Sequence, residues 1–133
     1  SISSRLRRLA REASVNLQSE IQYFSELRVL DKARLLNSFL HELAEEARST
    51  YGPGNEQVAD TAHLRFVNEL VHRVTRVLEQ LLAEDRTRPA DDVVLRMLLS
   101  PRSDKVAEKL VLNAYSRAIH GFERYDTTVL MNT

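Results

Sequence analysis

Cysteine and tryptophan are absent from this chain, and glycine and proline occur only three times each. Without cysteine there is no disulfide, no thiolate metal site and no cysteine nucleophile, so a disulfide-rich secreted scaffold is excluded and a reducing, bacterial-type cytoplasm is the expected location. Scarce glycine and proline leave few sharp turns, which favours helices over a sheet of many short strands. No apolar run approaches the roughly 18 residues of a membrane-spanning helix. The opening Ser1-Ile2-Ser3-Ser4-Arg5 leads into charge rather than into the apolar core of a signal peptide, so neither export nor a membrane span is expected. Neither charge sign is in excess: 19 basic and 19 acidic residues cancel. That balance removes the summed positive field on which sequence-independent nucleic-acid binding depends, and disfavours nucleic acid as a partner.

What is present is helical periodicity. Leu6, Leu9, Ala13, Leu17, Ile21, Phe24 and Leu27 recur at three- and four-residue steps and predict one helix from about Ser4 to Arg28. Asp31 is the expected N-cap of a second helix with Leu35, Leu36, Phe39, Leu40, Leu43 and Ala47 inward, stopped by Tyr51-Gly52-Pro53-Gly54-Asn55. A third helix, starting near Asn55 or Asp60 and ending near Asp85, carries Leu64, Val67, Leu70, Val71, Val74, Val77, Leu78, Leu81 and Leu82. At 100° per residue these fall within an arc of about 140°, the pattern of a central bundle helix. Arg86-Thr87-Arg88-Pro89 precedes a short helix over Ala90 to Leu99 bearing Val93, Val94, Met97 and Leu98. Ser103 or Asp104 then caps a last helix with Val106, Leu110, Val111, Ala114, Ala118, Ile119 and Phe122 inward, reaching about Arg124. The expected fold is therefore all-α: a bundle of about five helices, four long or medium and one short, with a single core over 1–125 and a loose tail over 126–133.

The four histidines are the side chains that titrate nearest neutrality, so acid-base, metal or phosphoryl chemistry is sought there first. His63 falls within the apolar arc of the third helix, and His72, nine residues on, falls on its polar face. Glu69-Leu-Val-His72 has the Glu-x-x-His spacing of di-iron bundles, but that site needs a second such pair and none occurs, so no metal or other cofactor is expected. Arg34-Leu-Leu-Asn37-Ser-Phe-Leu-His41 aligns with Arg65-Phe-Val-Asn68-Glu-Leu-Val-His72 as a faint internal repeat. Amphipathic helices of this composition share such a rhythm without common function.

The spacing from Arg34 to His41, repeated from Arg65 to His72, resembles the Arg-x(4 to 6)-His motif of HEPN ribonucleases, all-helical proteins that form their active site by dimerising. The polar residue usual after the motif Arg is replaced by Leu35 and Phe66. Under that resemblance Arg34 and His41 would be catalytic. A sharper local likeness runs from Glu69 to Leu82, where Glu69-Leu-Val-His72-Arg73-Val74-Thr75-Arg76 resembles the phosphoacceptor helix of bacterial histidine kinases. It implies His72 as phosphoacceptor, with Arg73 and Arg76 stabilising phosphate charge. The Lys-Asn of that family's box is Thr75-Arg76 here, and no nucleotide-binding domain follows. Arg5, Arg7, Arg8 and Arg11 form a basic face on the first helix, with no interleaved aromatic residues to stack bases.

No glycine-rich phosphate loop or nucleophile elbow occurs. The leading expectation is accordingly a non-enzymatic helical interaction or regulatory module with a protein partner, most simply a second copy of itself. Phosphotransfer through His72 is the alternative, and ribonuclease chemistry a further one.

Overall fold

The computed structural model describes residues 16–51, 61–83 and 91–131, and it is all-α. Five helices and no strand occur among the described residues: α1 Leu17–Glu26, α2 Val29–Tyr51, α3 Thr61–Leu82, α4 Asp91–Leu99 and α5 Lys105–Met131. They form a helical bundle in which α2 packs against both α5 and α3, while α1 packs on α4.

Local chemistry explains most of the boundaries. Asn16 has an extended backbone and its side chain accepts a hydrogen bond from the Ser19 N–H, so α1 begins there. The expected unbroken helix from Ser4 to Arg28 is therefore not formed: Asn16 is extended, and its short amide side chain satisfies an orphan amide of the first turn of α1, which ends at Glu26. The N-terminal part of that expected helix, with its four arginines, lies outside the described residues. The break after α1 is short: Leu27 is extended, and the Lys32 N–H already bonds the Arg28 carbonyl at 2.9 Å. Asp31 is therefore not the N-cap of α2 but part of its first turn, where a carboxylate favours the positive helix end. It also sits 3.7 Å from Arg34.

Asp104 is the cap of α5, its Oδ1 accepting from the Val106 and Ala107 N–H groups at 3.1 Å each. The helix continues to Met131, so the segment expected as a loose tail is helical through that residue. The turn after Tyr51 and the Arg86–Pro89 boundary lie outside the described residues.

One core cluster runs through all five helices. Phe24 of α1, Leu35, Leu36, Phe39 and Leu43 of α2, Leu95 and Leu98 of α4, and Val111 and Ile119 of α5 are essentially without solvent contact. Each such aliphatic or aromatic side chain contributes on the order of 1.5–3 kcal/mol of transfer free energy. α3 departs from its expected central place: among its described side chains only Leu70, Val74 and Leu81 are buried, and Leu82 is 58% exposed. The hub is α2. Val93 and Val106, expected inside, are more than half exposed, while Leu95, Leu99, Ala107 and Tyr115 are buried in their neighbourhoods.

Two polar groups are taken into this core. Glu20 is 2% exposed and accepts a hydrogen bond from the Tyr115 hydroxyl, which ties α1 to α5. Lys32 is nearly as buried, with its ammonium 5.7 Å from the centre of the Phe24 ring. Tyr23 meets Phe122 edge to face at 6.2 Å between ring centres.

Candidate functional site

The two Arg-Asn-His triplets stand on the solvent faces of α2 and α3. Arg34, Asn37 and His41 are exposed, and so are Arg65, Asn68 and His72. The apolar partners of the repeat turn the other way: Leu35, Leu36 and Phe39 are buried, as is Leu70, while Phe66 and Val67 are half-buried. Helical geometry is the cause, since residues three, four and seven apart share one face. Arg34, Asn37, Ser38, Leu40 and His41 line an open groove along α2. Leu30, 71% exposed, extends the same outer side of the helix.

The residues of the phosphoacceptor resemblance are placed unequally. His72 and Arg76 are one turn apart on the exposed face of α3. Arg73, also exposed, is turned about 100° from His72. It lines a separate cleft with Phe66, Glu69, Met97 and Arg102, where α3 meets the end of α4. An imidazole displayed in this way is reachable by another macromolecule, and Arg76, one turn away, and Arg65, two turns away, share its face. The His63 side chain lies outside the described residues. Among the described residues no group of three or more histidine, aspartate or glutamate side chains converges as metal ligands would.

Arg102 is a feature that periodicity does not reveal. Its guanidinium donates to the carbonyl oxygens of Met97, Leu98 and Ser100 at 2.7, 3.1 and 3.0 Å, closing the C-terminus of α4. The same group lies 5.2 Å from the centre of the Phe66 ring on α3. Its backbone N–H donates to Glu108 Oε2 at 2.6 Å, and Lys105 Nζ reaches that oxygen at 3.3 Å. Three helices thus meet on one residue. Partial burial pulls the Arg102 guanidinium below its ordinary value, against an opposing pull from the Glu108 charge. Glu108 is held below the usual carboxyl value, first by the Arg102 backbone donor and then by Lys105.

Arg117 is the matching clamp between α5 and α2. Its Nε donates to Glu42 at 2.9 Å and its Nη2 to Glu46, and these two carboxylates raise its pKa. An Arg between two carboxylates spaced four apart is legible only after the helices have been paired.

No family model matches the chain, and no curated protein or solved structure matches it either.

Proposed function

We propose that the protein is a non-enzymatic helical interaction module that works as a homodimer. The observation that carries this reading is the exposure of large aliphatic side chains on helices whose opposite faces are already packed: Leu30, Leu82, Val93 and Val106 are each more than half exposed. Each stands singly on its own helix, which is ordinary, but on α3 Leu82 continues a half-buried run of Val67, Val71 and Leu78, and a graded apolar edge of that kind suits a contact face. A balanced net charge adds no long-range repulsion between copies. Size-exclusion chromatography with light scattering tests the reading. The expected mass is twice the 15.3 kDa of the chain. A compact monomer at every concentration, with no protein partner, counts decisively against it.

A second reading is favoured by the exposure of His72 beside Arg76. Here the imidazole accepts a phosphoryl group from a phosphorylated receiver or a kinase and passes it on. Incubation with such a donor is expected to give acid-labile phosphate that disappears in His72→Ala. Transfer that is absent, or unchanged in the variant, removes this reading.

A further inference from the structure

α3 is the most sharply amphipathic of the five helices, yet among its described residues full burial is confined to the middle of its apolar arc, and Val67 and Val71 beside it pack on the core while keeping part of their surface open. The buried residues Leu70, Val74 and Leu81 lie within about 40° of one another around the helix. Val67, Leu78, Val71 and Leu82 follow in angular order over about the next 60°. Their cover thins across this edge: the first three are half-buried, and Leu82 is 58% exposed. Elsewhere among the described residues the exposed large aliphatic side chains stand singly, one on each of α2, α4 and α5. On α3 the exposed Leu82 ends a run of three half-buried residues along one edge.

That edge matches itself when reversed. Val67 and Leu82 are equidistant from the midpoint between Val74 and Thr75, and so are Val71 and Leu78. A two-fold axis through this midpoint, perpendicular to the helix, lays a second α3 antiparallel against the first and sets each valine opposite a leucine. Small-against-large pairing is what lets facing side chains interdigitate. The polar flank is complementary under the same operation. Asn68, Glu79 and His72 are all exposed and lie within about 40° of one another beside the apolar edge. The axis brings Glu79 of the second copy midway between Asn68 and His72, about 3 Å along the helix from each. A carboxylate is thereby placed between two hydrogen-bond donors, twice per dimer.

We propose that α3 is the self-association helix of this protein, docking antiparallel on the α3 of a second copy through Val67, Val71, Leu78 and Leu82, with Glu79 reaching Asn68 and His72 across the rim. The inference rests on the homodimer reading above and specifies its interface.

The lack of native cysteine makes the register directly measurable in the full chain. Val71→Cys mixed with Leu78→Cys is expected to form an intermolecular disulfide on mild oxidation, as is Val67→Cys mixed with Leu82→Cys. Leu82→Cys alone is expected to remain uncrosslinked, because its counterpart lies about 22 Å away along the axis. Leu82→Glu is expected to weaken the dimer roughly 100-fold by placing an unpaired charge in the contact. Its helical circular dichroism is expected to stay unchanged, since the site is mostly solvent-facing in one copy. A dimeric wild type whose mixed pairs fail to crosslink, or whose Leu82→Cys crosslinks to itself, overturns this interface and leaves the interaction module standing. A wild type that is monomeric at every concentration overturns the interface and the homodimer together.

Discussion

α5 and α3 are both long amphipathic helices, yet one is deeply packed and the other is peripheral. Along α5, Ala107, Leu110, Val111, Ala114, Tyr115, Ala118, Ile119 and Phe122 are all buried, whereas among the described residues of α3 three are buried. The difference does not follow amphipathicity, which is sharper in α3. It follows side-chain size at the contact. Alanines at 107, 114 and 118 let the α5 backbone approach its neighbours, chiefly α2, closely enough for Ile119 and Phe122 to be enclosed. The corresponding arc of α3 is built from valine and leucine without a small residue, so part of its width stays open.

This contrast can be broken most forcefully at Ile119. Ile119→Ala is expected to lower unfolding free energy by about 2–5 kcal/mol, measured by denaturant titration, because the enclosed site cannot collapse around the loss. A cost below about 1 kcal/mol would mean that α5 is no more tightly packed than α3. Ala118→Leu sharpens the size argument. Extra volume at a site with no solvent contact is expected to cost about 1–3 kcal/mol. A neutral result would show that close approach is not what makes α5 central.

The smallest expected effect is electrostatic and lies where α4 turns into α5. The folded state holds Glu108 below its ordinary 4.5, so it binds that proton less readily than the unfolded chain does. The stabilisation is therefore present above the unfolded value and is lost as pH falls through the lower folded one. Thermal unfolding should show a modest loss of stability below about pH 4.5 that is reduced in Glu108→Gln. Equal acid sensitivity in the variant would assign the effect to other carboxyl groups.

Much of this architecture is legible before any coordinates. Leu110, Val111, Ala114, Ala118, Ile119 and Phe122 as inward residues of α5, a cap at Ser103 or Asp104, and the end of α4 at Leu99 all follow from three-to-four-residue spacing and capping chemistry, whereas the burial of Tyr115 does not. The outward turn of His41, Arg34, His72 and Arg76 follows from the same spacing. The break at Asn16 was not legible, because the apolar rhythm passes through it while a local hydrogen bond to the Ser19 amide decides the backbone. Val93 and Val106 read as inward because valine suits a core, but a first-turn residue has neighbours on one side only, and tertiary packing selects Leu95 and Ala107 instead. Arg102 and Arg117 were invisible for a further reason: their partners lie on other helices or on carbonyl groups exposed by a helix end.

Composition and periodicity by themselves determined that this chain is helical, about how many helices it forms, and much of the apolar stripe of each, since all of these depend on neighbours within about one turn. Only the tertiary structure decided that α2 is the hub, that α3 lies at the edge with a partly open face, and that Arg102 and Arg117 lock helices together. Those outcomes depend on how closely two surfaces distant in sequence can approach, which is set by the side chains that meet across the gap and not by the rhythm along either helix.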